Sequence, residues 1–263
     1  MPRDDPDYIE SVSKAFQVIE AFSAEHPALT ISEASALTGL TRPTVRRILL
    51  TLVRLGFASP AENKTFVLTP QMMRLGYAYL SSTPVWDHAM PYMRDLADSV
   101  RESVSLAVLD APDIVYVARV PAARSMTITL TVGARLPAYP TSLGRVLLAS
   151  LSPQALDEYL ASTELRRLTP TTICDPDELR EELARVRKQG FAIIDGEREE
   201  GVRSAAVPVH DHQGRPIMAL NVSANAARVT VQSLEEEVVP QLLRTAETIS
   251  SHSRFSRHHT ASG

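Results

Sequence analysis

Residues 29–56, LTISEASALTGLTRPTVRRILLTLVRLG, decide the fold of the first part of this chain, because they predict two short helices joined by a tight turn. The first helix is expected to begin at Ser32, a residue type that caps helices well, and to end at Gly39, which readily adopts a positive φ. The turn is Gly39-Leu40, and Thr41 is expected to cap the second helix. This arrangement is typical of a helix-turn-helix.

The second helix separates an apolar stripe from a basic surface. Pro43 falls in its first turn, where a missing N–H is harmless. The residues expected to be buried at helical spacing are Val45, Ile48, Leu49, Leu52 and Leu55. Arginine and threonine side chains on the remaining surface reach phosphates and base edges when such a helix enters a major groove. The candidate DNA contacts are Thr41, Arg42, Thr44, Arg46, Arg47 and, in the segment that follows, Lys64.

Two short strands are predicted after this helix, at 56–59 and 65–68, with a polar turn from 60 to 64 between them. Such a strand pair forms a wing. Upstream, a third amphipathic helix is expected to complete a small core with Val12, Ala15, Phe16, Ile19 and Phe22. The segment therefore predicts a winged helix-turn-helix that binds DNA. Two alternatives remain open: the arginines form only a solvated face, or the module binds protein.

The chain of 263 residues is long enough for two domains, and its composition, 44% hydrophobic and 22% charged, is that of a globular protein. Its formal net charge of -4 argues against a surface coated for non-specific nucleic-acid binding. Between residues 11 and 74, however, seven basic side chains stand against four acidic ones. Any contact with DNA is therefore expected to be local.

The single cysteine, Cys174, excludes an internal disulfide and a cysteine-rich zinc site, and we expect neither a metal nor a cofactor. The sequence shows no N-terminal targeting segment and no apolar run approaching the roughly 18 residues of a membrane helix. We therefore expect a soluble, cytoplasmic protein without a membrane partner.

Four segments are predicted along the chain: a DNA-binding domain at 1–69, a linker helix at 70–83, a larger domain at 84–252 and a disordered tail at 253–263. The linker helix carries the apolar residues Met72, Met73, Leu75, Tyr77 and Leu80. These residues indicate either a contact surface for the same helix of a second subunit or packing onto the first domain.

Hydrophobic periodicity changes from helical to alternating within the larger domain. Three successive antiparallel strands are predicted near 104–108, 114–120 and 126–132, followed by helices at 141–151, 153–161 and 177–189. Further strands are expected at 191–195, 202–209 and 216–223, and a long helix at 231–250. Strands interleaved with helices, without regular βαβ alternation, predict an α+β domain with an antiparallel sheet.

No catalytic motif is recognisable in this domain: the sequence lacks a nucleophile elbow, a zinc-protease helix, a P-loop and a dinucleotide glycine pattern. The charged run 197–200 is expected to be a solvated loop, as such runs usually are. The sequence therefore argues against an enzyme. An enzyme with an appended nucleic-acid-binding domain stays as the less favoured alternative.

Short polar residues mark strand ends and a helix start, at Thr141, Ser142, Gly144, Ser204, Asn221 and Ser223. Buried hydroxyl and amide groups need partners, so these either pair with one another or receive a polar ligand. The start of the predicted helix after residue 141 offers free N–H groups to a carboxylate. Four arginines are candidates to bind the same carboxylate: Arg119, Arg124, Arg145 and Arg203. Alternatively, several of them form salt bridges with Asp195 or with the run 197–200.

Five segments of the chain resemble the IclR family of transcriptional regulators: SVSKAFQVIEAFS (11–23), residues 29–57, ARLPAYPTSLGRVLLA (134–149), GFAIIDGEREEGVRSAAVPVHD (190–211) and ALNVSANAARVT (219–230). Residues 117–149 are similar to the Pca and Pob group, which regulates the β-ketoadipate and protocatechuate pathways. The resemblance implies a winged helix-turn-helix, a dimerising linker helix and a GAF-like effector-binding domain. It also implies a homodimer or a dimer of dimers, a double-stranded DNA operator and a small carboxylate effector.

The effector positions of glyoxylate-type relatives carry over with departures. Their small residue pair at the helix start falls at Ser142 and Leu143, and their cysteine falls at Ser204. Their two serines in the last strand fall at Asn221 and Ser223, and their acidic contact falls at Ile194 or Asp195. These departures argue against glyoxylate or pyruvate. The resemblance thus implies a regulator of aromatic-acid catabolism, with control of sugar-acid or glyoxylate and acetate metabolism as the alternative.

Overall fold

The computed structural model describes residues 7–82, 85–122 and 130–252, and the chain divides into two compact units, residues 1–82 and 83–263. The first unit contains helices α1 (Glu10–Glu20), α2 (Ile31–Thr38), α3 (Arg42–Arg54) and α4 (Met73–Ser82), and strands β1 (Ala28–Thr30), β2 (Ala58–Pro60) and β3 (Thr65–Leu68). The strands form an antiparallel sheet in the order β1-β3-β2. This is the predicted winged helix-turn-helix, with β1 as an additional strand.

The helix ends of this unit follow from their capping residues. Gly39 ends α2 in the left-handed region with φ 70°, and the hydroxyl of Thr41 accepts the N–H of Thr44 at the start of α3 (3.4 Å). The predicted cap at Ser32 is wrong. The cap is Thr30, whose hydroxyl accepts the N–H of Glu33 while the Glu33 carboxylate accepts the N–H of Thr30. Because Thr30 ends β1, its backbone is already extended as a helix cap requires.

The core of the first unit consists of Val18, Leu29, Ala34, Val45, Leu49 and Phe66. Leu55, expected in the buried stripe, is 57% exposed, because α3 ends one residue before it. Val12 and Phe16 were also expected in the core, but about half of each side chain is exposed and Val18 is the fully buried residue of α1. The sequence pattern of α1 therefore overestimates how much of that helix is covered within the unit.

The second unit is an α+β domain. Its helices are α5 (Val85–Val100), α6 (Ser142–Ala149), α7 (Pro153–Ser162), α8 (Pro176–Gln189), α9 (Val231–Ser233) and α10 (Val239–His252), with a π-helical turn at Leu234–Val238 between the last two. Its strands are β4 (Ser103–Asp110), β5 (Asp113–Val120), β6 (Arg135–Pro137), β7 (Ala192–Asp195), β8 (Val202–His210) and β9 (Pro216–Asn225). None of the described helices is long and apolar enough to cross a membrane.

The six strands form one antiparallel sheet in the order β6-β5-β4-β9-β8-β7. Helices α5 and α10 pack on one face, and α6 packs on the other with α7 and α8 outside it. Sheet residues that contact the α6 side are mostly small, such as Ala107, Ala192, Ala206 and Ala219. These alanines let α6 approach the sheet closely, and its eight residues are all buried.

A short strand, β6, borders β5 on the side away from β4. Of the expected strand at 126–132, residues 126–129 lie outside the described residues, and residues 130–132 are not in a strand. The Arg135 side chain of β6 forms ion pairs with Asp110 (2.5 Å) and Asp113 (3.2 Å) at the β4–β5 turn, which ties this short edge strand to the hairpin.

Candidate nucleic-acid interface and ligand cavity

Helix α3 presents a cationic face opposite its buried stripe. Its side chains at Arg42, Arg46 and Arg47 are all exposed, and none of them forms an ion pair within the described residues. Thr41 is exposed and Thr44 partly buried, with their hydroxyls 2.9 Å apart. Unpaired guanidinium groups beside a helix N-terminus form a surface suited to phosphate oxygens and base edges.

The tip of the wing adds a further cation to this unit. Lys64 is exposed in the turn between β2 and β3, and both Asn63 (φ 55°) and Lys64 (φ 60°) adopt left-handed conformations. The hydroxyl of Thr65 donates to the carbonyl of Glu62 (2.7 Å) and closes the turn. An ammonium group on a closed turn of this kind is placed to contact a phosphate without reading a base.

A cavity lies in the second unit between the start of α6 and the face of the sheet beneath it. It is lined by Tyr116, Leu130, Leu136, Pro140, Thr141, Ser142, Ile194, Arg198, Glu199, Val202, Ser204, Asn221 and Ser223. Five of the predicted ligand contacts are therefore brought together: Thr141, Ser142, Ser204, Asn221 and Ser223. The enclosed space is about 40 Å³, which is room for a few water molecules.

The N-terminus of α6 opens into this cavity. The Thr141 hydroxyl accepts the N–H of Gly144 and donates to the carbonyl of Ala138, both at 3.0 Å. The N–H groups of Ser142 and Leu143, as the first of the helix, have no partner within it. The Ser142 hydroxyl is also unpaired among the described residues, although the residue is only 1% exposed. The cavity wall therefore offers buried donors to an anionic or polar ligand.

The opposite wall is set by strand register. Ser204 on β8 lies opposite Ser223 on β9, and Asn221 lies opposite Ser105 on β4, so these side chains share one face of the sheet. The side-chain oxygen of Asn221 has no hydrogen-bond partner among the described residues, and the residue is 4% exposed. An unsatisfied buried polar atom costs about 1–3 kcal/mol. A ligand that supplies a donor at this point would remove that cost.

Two arginines influence a buried phenol in the cavity. Burial raises the pKa of Tyr116, while the positive charges of Arg198 and Arg119 oppose that rise. Arg119 does not line the cavity, but it donates to the Ser105 hydroxyl (3.2 Å) beside it and forms no ion pair within the described residues. Burial lowers the pKa of the Arg119 guanidinium. The phenol thus stays neutral at physiological pH and is able to donate or accept a hydrogen bond.

Several predicted ligand contacts lie elsewhere. Asp195 and Arg203 do not line the cavity. They alternate with the lining residues of β7 and β8 and form a bidentate ion pair with N–O distances of 2.6 and 3.0 Å. Leu143 and Gly144 are buried in α6 and do not line the cavity either. Arg124 lies outside the described residues.

The charged run 197–200 is not the solvated loop that the sequence predicted. Glu197 is only 8% exposed and accepts hydrogen bonds from the Arg145 guanidinium (2.6 Å) and the N–H of Ile173 (3.1 Å). Burial raises the pKa of Glu197, although the charge of Arg145 opposes the shift. This buried pair ties α6 to the loop whose next two residues, Arg198 and Glu199, line the cavity.

Comparison with known proteins agrees with both units. Residues 11–61 match the IclR helix-turn-helix domain, and residues 77–251 match the C-terminal domain of bacterial IclR transcriptional regulators. The Pca regulon regulatory protein of Pseudomonas putida is 41% identical over 93% of this chain and 84% of its own length. The p-hydroxybenzoate hydroxylase transcriptional activator of Acinetobacter baylyi is 34% identical over 92% and 91%. A crystal structure of an IclR homologue from Microbacterium hydrocarbonoxydans, complexed with 4-hydroxybenzoate, is 25% identical with a TM-score of 0.78, covering 92% of this chain and 98% of that one.

Proposed function

The chain belongs to the IclR family of bacterial transcriptional regulators, and from this premise we propose that it controls genes of aromatic-acid catabolism in response to a small aromatic carboxylate. The observation that carries the proposal is a pair of buried polar groups, at Ser142 and Asn221, that line one cavity and have no hydrogen-bond partner among the described residues. Relatives that regulate the pca and p-hydroxybenzoate genes, and one bound to 4-hydroxybenzoate, support the aromatic class.

We infer that residues 1–69 bind operator DNA, that 70–83 link the two domains and that 84–252 bind the effector. Helix α3 would lie in the major groove, with Arg42, Arg46 and Arg47 contacting bases and phosphates. Thr41, Thr44 and, on the wing, Lys64 would contact the backbone. Because DNA carries phosphates throughout, this set of contacts makes affinity depend on salt concentration.

The proposed DNA contacts of α3 are tested with the variants Arg47→Ala and Arg46→Ala. Arg54→Ala, at the other end of α3, is the matched control. Binding to a duplex selected from random sequences is measured at several salt concentrations. Each of the first two variants should weaken binding by about 1–3 kcal/mol and reduce the salt slope by about one. The control should change affinity much less. Unchanged affinity and slope in both Arg46 and Arg47 variants would contradict DNA binding through α3.

The proposed effector binding is tested by thermal unfolding of the full chain in the presence of 4-hydroxybenzoate, protocatechuate, β-ketoadipate or glyoxylate. A ligand that binds the folded state raises the unfolding temperature by mass action. We expect a rise with at least one aromatic acid, and none when Ser142→Val and Asn221→Leu are combined. A rise with glyoxylate alone would favour acetate-pathway control instead.

Ligand binding is expected to move the cavity walls. The space of about 40 Å³ is far smaller than the roughly 300–1,000 Å³ pockets that hold drug-sized ligands, so a ring displaces lining side chains. A ligand shifts a conformational equilibrium only as far as it prefers one state. Displacement of the cavity walls would supply such a preference for one state. The change would be transmitted to the DNA-binding domains through a change in the arrangement of the subunits.

We also propose a homodimer, or a dimer of dimers, acting on operator DNA in the cytoplasm. Several apolar side chains of the first unit are exposed among the described residues: Val12 and Phe16 on α1, and Met73, Leu75 and Tyr77 on α4. A dimer would place two α3 helices about 34 Å, or a multiple of that distance, apart on a pseudo-palindrome. Sedimentation of Tyr77→Glu should show dissociation, whereas Leu37→Glu, another exposed apolar position, should not. If both variants dissociate, or if neither does, the proposed dimer surface on α4 is contradicted.

A further inference from the structure

Arg198 and Glu199 form an ion pair with each other on the wall of the cavity. The distance between Arg198 Nη1 and Glu199 Oε2 is 3.3 Å, and both side chains are partly buried, at 26% and 34% exposure. Charge-assisted N–H···O bonds are usually about 2.7–2.9 Å long. The pair is therefore loose, and it joins neighbouring residues of one loop.

The other arginines around the cavity differ from Arg198 in how their donors are used. Arg203 donates to both oxygens of Asp195 and to the carbonyls of Ala226 and Val229. Arg145 is 1% exposed and is held by Glu197 and by the carbonyl of Tyr139 (2.9 Å). Both are fixed away from the enclosed space. Among the described arginines, only Arg198 lines the cavity. Its partner among the described residues is the Glu199 carboxylate on the same wall.

We propose that Arg198 binds the carboxylate of the effector and that Glu199 competes with the effector for this guanidinium, so that Glu199 sets the effector concentration at which the protein responds. The inference rests on the proposed function and goes beyond it by naming the charge anchor and its built-in competitor. The contact between Glu199 and Arg198 shows that a carboxylate is able to reach the Arg198 guanidinium at the cavity surface.

The exchange is favourable for a physical reason. A ligand carboxylate replaces one loose contact with a bidentate one and keeps the number of ion pairs constant. The released Glu199 side chain, one third exposed, turns towards water and keeps its hydration. The rest of the ligand then lies near the Tyr116 phenol and the unpaired Asn221 oxygen, where a neutral hydroxyl on the ligand has partners.

The test is calorimetric titration of the full chain with 4-hydroxybenzoate and protocatechuate, and with 4-hydroxybenzamide as a neutral isostere. Glu199→Gln is compared with Glu200→Gln, which removes the same charge from an exposed neighbour. Arg198→Gln is compared with Arg198→Lys, which keeps the charge but loses the planar guanidinium that binds a carboxylate through two N–H groups. It is also compared with Arg166→Gln on the surface. Thermal unfolding without ligand verifies that each variant is folded.

Glu199→Gln should bind the acids about two- to fivefold more tightly, as expected for loss of an exposed ion-pair competitor. Arg198→Gln should bind them roughly ten- to a hundredfold more weakly, with Arg198→Lys in between. Affinity for the neutral amide should not change in either variant. In the double variant the gain from Glu199→Gln should disappear, because there is no guanidinium left to compete for.

Two results would overturn the inference separately from the proposed function. If the wild-type chain binds an aromatic acid and Arg198→Gln binds it equally well, the anchor is wrong while the effector class stands. If Glu199→Gln and Glu200→Gln change affinity by the same factor, the effect is general charge and Glu199 is no competitor. If the wild-type chain binds none of the acids, the proposed effector class and this inference both fail.

Discussion

Two helices of this protein begin with the same local chemistry and face different surroundings. Both α3 and α6 are capped by a threonine, at Thr41 and Thr141, whose hydroxyl accepts the N–H three residues later. The start of α3 lies on the surface with exposed arginines beside it. The start of α6 lies in the interior, where every one of its eight residues is buried.

The difference teaches that burial, more than the cap itself, decides what a helix N-terminus binds. Both ends carry unpaired N–H groups and a partial positive charge. On the proposed function, this charge acts at the surface together with exposed arginines on an extended polyanion. In the interior, on the same proposal, it acts at short range and in low dielectric on one small group.

The largest difference is expected for the arginines. Arg145→Gln leaves Glu197 buried without its cation, so unfolding of the second unit should become easier by about 3–5 kcal/mol. Arg46→Gln on the exposed face of α3 should change stability by less than about 0.5 kcal/mol. Urea denaturation followed by circular dichroism measures both. Equal effects would show that the Arg145–Glu197 pair is not a buried structural link.

Gly144, the third residue after the Thr141 cap, should give the next largest effect. Gly144 is in contact with the backbone of Ala138, and a Cβ added at 144 would overlap that carbonyl group. Gly144→Ala should therefore destabilise the second unit by about 3 kcal/mol. Gly76→Ala in α4, where an added Cβ meets open space, should be neutral or stabilising by up to about 1 kcal/mol. A well-folded Gly144→Ala protein with wild-type stability would refute the close approach.

The caps themselves should differ less. Thr141→Ala removes the partner of a buried N–H and should cost about 2 kcal/mol, at the upper end of cap effects. Thr41→Ala exposes its N–H to water and should cost about 0.5–1 kcal/mol. Denaturant midpoints of the two units measure this difference. The reverse order would mean that burial does not govern the strength of the cap.

The smallest effect concerns a third helix start, that of α2. Thr30→Ala should cost about 1 kcal/mol, and Ser32→Ala only a few tenths, because Thr30 is the cap. Hydrogen bonds from Thr30 lower the pKa of the Glu33 carboxyl. Its stabilising contribution is therefore present above the unfolded pKa near 4.5 and is lost as the pH falls through the folded value. Glu33→Gln should flatten the decline of stability of the first unit in acid, as measured by unfolding at pH 3–6.

The sequence predicts the elements of this fold well wherever capping and turn chemistry are local. Gly39, Thr41 and Gly190 end or begin helices where their residue types predict, and the helices and strands from 141 to 250 lie close to their predicted ranges. The errors fall where tertiary contacts decide. Thr30, the cap of α2, also ends β1, and the pairing of β1 with β3 has no local signal in the sequence.

The cavity was predictable in part. The short polar residues of α6, β8 and β9 were identified because buried hydroxyl groups in apolar segments need partners. The sequence does not single out three further lining residues. Tyr116 resembles an ordinary aromatic residue of a strand, and Arg198 and Glu199 belong to a charged run. Their position in the wall depends on the register of β5 against β4 and on the Arg145–Glu197 pair, which join residues far apart in sequence.

The way the cavity is assembled has a consequence for redesigning the protein as a biosensor. Ile194, Ser204 and Ser223 contribute to the wall from three different strands, and each alternates with a neighbour that faces the other side of the sheet. A change at one of these positions therefore alters the wall without disturbing a cap or a turn. Because Ser204 pairs with both Ile194 and Ser223, the three side chains are neighbours and their effects are coupled. Libraries that vary the three positions together would search ligand shape, with the proposed DNA-binding output left as the reporter.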